Sequence, residues 1–131
     1  MVAERLHKVP LFRPLKKRDL DTVSRLADEI DLPAGRVLIK EGDLGHEFFV
    51  IETGTAGVTR DGDAVAELGP GDFFGEMALL EDERRTATVT AKTAVKLIVI
   101  SRHDFRSLRH SLPSVLETVR EQIERRRATA G

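Results

Sequence analysis

Nine of the ten glycines in this 131-residue chain fall between Gly35 and Gly75. Glycine at that density marks repeated tight turns, because it reaches positive φ at little cost. The stretches on either side are nearly free of it and carry apolar residues at helical spacing. The expected order is therefore helix, then many short strands, then helix: a mainly β fold with flanking helices. The length suits one domain, 1–131, with an N-terminal helical part at 1–30, a β-barrel at 31–100 and C-terminal helices at 101–131. A domain of this size needs no metal or disulfide to hold its core.

In the first flank, Leu20, Val23, Leu26, Ala27 and Ile30 form one apolar stripe at three-to-four spacing. Asp19 and Asp21 are expected in the first turn of that helix, where they suit its dipole. Upstream, Leu6, Val9, Leu11 and Phe12 make a short apolar cluster expected to pack on the barrel. Strand signals follow at Val37-Leu38-Ile39 and Phe48-Phe49-Val50-Ile51. Between Val58 and Val65, Asp61-Gly62 is a strong hairpin signal. Thr86 to Ala91 and Val95 to Ile100 read as two further strands. Short strands with frequent turns argue for an antiparallel sandwich, jelly roll or barrel. Ser101-Arg102-His103-Asp104 resembles a capping box, and Phe105, Leu108 and Leu112 continue a helical stripe. Pro113 can open a second helix whose apolar face is Leu112, Val115, Leu116, Val119 and Ile123.

Composition removes several functions. The absence of cysteine excludes disulfides, thiolate catalysis and cysteine-ligated iron–sulfur clusters. The net charge of -1 and pI near 6.4 give no global field for nucleic acid or membrane. No apolar run approaches the ~20 residues that span a bilayer, and the N-terminus has no secretory apolar segment. A cytoplasmic protein without membrane or DNA contact is expected. Met1 and the Ala-Thr-Ala-Gly end read as a complete chain. Four scattered histidines, His7, His46, His103 and His110, offer no metal-binding spacing, which disfavours a cupin-like metalloenzyme. The basic run Arg125 to Arg127 reads as a solvated helix end that complements the dipole.

The chemistry concentrates between Phe73 and Val89. Gly69-Pro70-Gly71-Asp72 makes a turn, and Phe73-Phe74 is expected to pack inward. Gly75 permits close backbone approach, and Glu76 to Leu80 can form one helical turn whose exposed amides make an anion site. Arg84 and Arg85 enter a strand, so only one of them can face inward. An inward guanidinium is always charged and can bind two phosphate oxygens at once. Glu76 cannot bind phosphate; it can accept hydrogen bonds from a sugar hydroxyl or neutralise an arginine. Phosphate plus ribose specifies a nucleotide.

These residues, Gly75-Glu76-Met77-Ala78-Leu79-Leu80 followed after a short spacer by Arg85-Thr86-Ala87-Thr88-Val89, resemble the phosphate-binding cassette of cyclic-nucleotide-binding domains. Such domains serve cAMP receptor transcription factors, protein-kinase regulatory subunits and nucleotide-gated channels. Pro33 to Asp43 resembles the family's first hairpin, Glu47 to Gly57 its next strand and turn, and Leu68 to Asp72 the approach to that cassette; the likeness runs over roughly residues 5 to 120. The resemblance implies a double-stranded β-helix, or jelly-roll barrel, with hinge and lid helices at the C-terminus. It implies that Glu76 takes the ribose 2′-hydroxyl and Arg85 the cyclic phosphate. Thr86 would contact phosphate or base beside Ala87, and backbone amides near Gly75, Met77 and Ala78 would complete the cradle.

The function implied is a stand-alone, non-enzymatic sensor that binds cAMP or cGMP as its ligand, without a cofactor or metal, and signals by rearranging its C-terminal helices. No aromatic residue lies beyond Phe105, so Leu116, Val119 or Ile123 would cap the base, or that stripe would join a protein partner or a second copy in a homodimer. The alternative is a barrel of the same family that has lost its ligand and acts as an interaction module.

Overall fold

The computed structural model describes residues 6–7, 12–75 and 84–107, and also Pro113, Glu117, Thr118, Arg120, Glu121, Glu124 and Arg125. Of the expected site, Glu76, Met77 and Ala78 lie outside these residues, as do Leu116, Val119 and Ile123. Val9, Leu11, Leu108, Leu112 and Val115 also lie outside them.

Among the described residues, helix α1 (Lys17–Ser24) precedes eight strands. These are β1 (Asp28–Leu32), β2 (Val37–Ile39), β3 (Glu47–Thr53), β4 (Ala56–Arg60), β5 (Asp63–Leu68), β6 (Phe73–Phe74), β7 (Thr88–Ala91) and β8 (Val95–Ser101). Helix α2 (Arg102–Arg106) follows directly. The strands form two antiparallel four-stranded sheets, ordered β1-β8-β3-β6 and β2-β7-β4-β5. Apart from the β4–β5 hairpin, each step along the chain passes from one sheet to the other, which is the jelly-roll arrangement. No helix among the described residues is long and apolar enough to cross a membrane.

β3 and β8 read as continuous apolar runs because both of their faces are covered. Phe49, Ile51, Leu97 and Val99 point between the sheets, where they meet Ala56, Phe74, Val89 and Ala91. Phe48, Val50, Ile98 and Ile100 point the other way, into a second core closed by Leu6, Phe12, Leu20, Val23 and Phe105. Phe12 meets Phe48 edge-on with centroids 5.7 Å apart, and Phe49 stacks on Phe74 at 4.9 Å. The expected inward packing of Phe73 and Phe74 and the docking of Leu6 and Phe12 are therefore found.

The α1 stripe is shorter than its spacing suggests. Leu20 and Val23 are its buried positions, and the helix ends at Ser24. Only Asp19 of the two expected acids falls in the first turn. Leu26 and Ala27 lie in the turn that follows yet still pack against the same core. Ile30 belongs to β1, where it and Leu32 face the inter-sheet core at period 2 while Glu29 and Asp31 face outward; Asp28, at the strand's start, is also exposed. The barrel thus begins three residues before the boundary placed at 31. The chain also reaches its strand at Thr88 rather than Thr86, because residues 86 and 87 form a bend. Ser101 caps α2: its Oγ accepts from Asp104 N at 3.1 Å.

Candidate functional site

The site begins in the loop between β2 and β3. Gly42 takes φ +89°, which turns the chain at Glu41-Gly42, and Asp43 N donates to Lys40 O at 3.1 Å. That turn leaves the loop backbone open to a second segment. Gly42 N donates to Arg85 O at 2.9 Å, Arg85 N donates to Asp43 O at 2.7 Å, and Leu44 bridges Arg84. Residues 84 and 85 are thus clipped to a loop forty positions earlier.

The two arginines separate as adjacent extended residues must. Arg84 is exposed and donates from Nη1 to Gly42 O at 2.8 Å. Arg85 is half-buried and turns towards the start of β3. Its Nη2 donates to Glu47 O at 2.7 Å, and its Nη1 donates to Gly75 O at 3.4 Å, at the long end for such a bond. Gly75 sits at φ +78°, a conformation suited to glycine. Gly75 and Arg85, ten positions apart in the expected cassette, are therefore neighbours in space.

Arg85 forms one wall of a cleft of about 340 Å³, within the ~300–1,000 Å³ usual for small-ligand sites. β2 supplies Val37, Leu38 and Ile39; the loop after it supplies Lys40, Asp43, Leu44 and His46; β3 supplies Glu47 and Phe49. The lining thus mixes apolar side chains with charged ones. A permanent guanidinium beside apolar side chains suits an anion that carries an apolar part. Thr86 and Ala87 are not among the residues lining this cleft. Thr86 is exposed and its carbonyl accepts from Arg60 Nε at 3.2 Å; Ala87 is buried.

His46 links the cleft to the C-terminal region. Its carbonyl accepts from Arg102 N at 2.8 Å, and its Nδ1 lies 3.1 Å from Arg102 Nη2. Guanidinium nitrogens only donate, so Nδ1 is the acceptor. Arg102 is the first residue of α2. Neither His46 nor Lys40 stands out in the sequence as a site residue, and Val37 to Ile39 read there as a strand and not as a cleft wall.

Comparison with known proteins gives the family. The model of the cyclic nucleotide-binding domain matches residues 29–111. The chain is 37% identical over 127 residues to a cAMP-dependent protein kinase regulatory subunit of Emericella nidulans, covering 95% of this chain and 30% of that protein. Among solved structures, the N-terminal domain of a transcriptional regulator from Streptomyces coelicolor aligns with TM-score 0.85 and 30% identity, covering 97% of this chain and 94% of that one. The regulatory domain of Toxoplasma gondii protein kinase A, solved with cAMP, aligns with TM-score 0.74 and 35% identity, covering 81% and 42%. The chain belongs to the cyclic nucleotide-binding domain family. It spans about a third of the length of the curated relatives it matches.

Proposed function

We propose that this chain is a regulatory cyclic-nucleotide sensor that holds cAMP in the cleft beside Arg85 and passes the binding event to its C-terminal helices. The observation that carries the proposal is the Arg85 guanidinium, fixed at the cleft wall by the carbonyls of Glu47 and Gly75. In this reading Arg85 takes the cyclic phosphate and Glu76 the ribose hydroxyl. Backbone amides at Gly75, Met77 and Ala78 complete the cradle, and Thr86 and Ala87 flank it. The base lies against the apolar wall of β2 and Phe49. Leu116, Val119 or Ile123 caps it, or that helix meets a partner protein or a second copy. The ligand is bound and released, not converted.

The contacts of His46 supply a route for the signal. A phosphate drawn to Arg85 pulls on the loop clipped to it, and the two bonds from His46 to Arg102 carry that pull to α2. The shift is limited by the ligand's differential affinity for the two helix positions. The relative named as cAMP-dependent and the neighbour solved with cAMP support cAMP over cGMP.

Isothermal titration calorimetry with cAMP and cGMP tests the proposal. Saturable heat with one site per chain, stronger for cAMP, is expected. Absence of heat with both nucleotides would instead favour an interaction module of the same fold.

A further inference from the structure

The β2–β3 loop holds two glycines with different reasons to be glycine. Gly42 needs its positive φ, and a Cβ there would meet nothing within 4 Å. Gly45 is the reverse. Its φ lies outside the left-handed region, so the backbone there would accept any residue. Its constraint is space. A Cβ on Gly45 would stand 2.5 Å from Arg85 Cζ, 2.5 Å from Arg85 Nε and 2.8 Å from Arg85 Nη1. All three of its nearest neighbours belong to that one side chain. Gly75 meets the same guanidinium, with Nη1 2.7 Å from its would-be Cβ, but Glu47 O lies at 2.9 Å and the φ is positive. A change at Gly75 would therefore disturb backbone as well as Arg85, whereas the closest clashes of a change at Gly45 all fall on the arginine.

We propose that Gly45 is a positioning residue for the anion site: its missing side chain is the seat that lets the Arg85 guanidinium reach Glu47 O and present its charge to the cleft. The proposal deepens the reading of Arg85 as the phosphate contact and rests on it for the effect on ligand. No main-chain atom is among the three nearest to the added carbon, so the tightest clash is with the arginine. The extended arginine must instead shift until its Cζ and Nε clear the new methyl, and directional hydrogen bonds weaken steeply when moved off line. Loss of one charge-assisted bond corresponds to about tenfold or more in affinity.

The test compares wild type with Gly45→Ala, Arg85→Ala, the double variant, and Gly69→Ala as control. A Cβ at Gly69 meets nothing within 4 Å and its φ is not positive. Two readouts are used: the ¹⁵N NMR signal of the Arg85 Nε–H without ligand, assigned by its loss in Arg85→Ala, and calorimetric titration with cAMP. Gly45→Ala should move the Arg85 signal and weaken cAMP at least about tenfold, and Gly69→Ala should do neither. In the Arg85→Ala background, adding Gly45→Ala should change affinity no further. If Gly45→Ala does not fold, the double variant should, because the obstacle has been removed; a double variant equally unfolded overturns the proposal. So does an unmoved Nε–H signal, or an equal affinity loss in both backgrounds. If wild type binds neither nucleotide, the functional reading falls, while the ligand-free signal still decides whether Gly45 seats Arg85.

Discussion

Replacing Arg85 with lysine keeps the charge and removes the fork. The guanidinium reaches Glu47 O and Gly75 O from two different nitrogens while one face stays at the cleft. A lysine ammonium is a point charge on a flexible stem and cannot hold both carbonyls and a phosphate in one geometry. Losing one charge-assisted hydrogen bond to the ligand costs about 2 kcal/mol, or about 30-fold in Kd. With cAMP at about 100 times the wild-type Kd, binding stabilises the native state by about 2.7 kcal/mol. Unfolding entropy of about 2.1 cal/mol/K per residue gives about 0.28 kcal/mol/K for 131 residues. Wild type should then gain about 10 °C in Tm on adding cAMP. At the same concentration Arg85→Lys has only about 3 times its Kd, gains about 0.8 kcal/mol, and should rise by about 3 °C. Differential scanning fluorimetry with and without nucleotide reads the difference directly. The unliganded Tm of the variant drops out, because each protein is its own reference. A rise of about 10 °C in both proteins would show that Arg85 does not touch the phosphate.

Phe105→Ala should cost about 3–5 kcal/mol, seen as a lower urea midpoint, because this fully buried ring ties α2 to the helix-side core. Ser101→Ala removes the cap on α2 and should cost about 1 kcal/mol in the same assay, leaving the barrel intact. Gly54→Ala should lower the Tm by the equivalent of at least about 2 kcal/mol. Its φ is +90° and the new carbon would press on the Ala94 carbonyl, a main-chain atom that cannot step aside.

What the sequence made readable was whatever a side chain or a local turn declares. Asp61-Gly62 announces a hairpin, and both residues take positive φ, at +52° and +85°, as a primed turn requires. Ser101 announces a helix start, and the runs in β3 and β8 announce strands covered on both faces. Period reading failed where two elements meet. Ile30 lies four residues after Leu26, as on a helix, and two before Leu32, as on a strand; pairing of β1 with β8 decided for the strand. Phe73-Phe74 was too short to announce itself as a strand, and only its register against Val50 and Phe49 makes it one. The same divide runs through the site. Charge next to a glycine-rich turn drew attention to Arg84 and Arg85, and the likeness to the family's cassette singled out Arg85, which the structure turns towards Glu47 and Gly75. Its anchor at Glu47 is a carbonyl, which every residue carries, so no side-chain identity could reveal it. Gly45 was missed for a related reason: its glycine answers to a guanidinium forty residues downstream, not to its own φ, and such a constraint exists only once the loop and the arginine have been brought together. Residue type and spacing can thus nominate a candidate contact, whereas residues that make room for it become visible only in three dimensions.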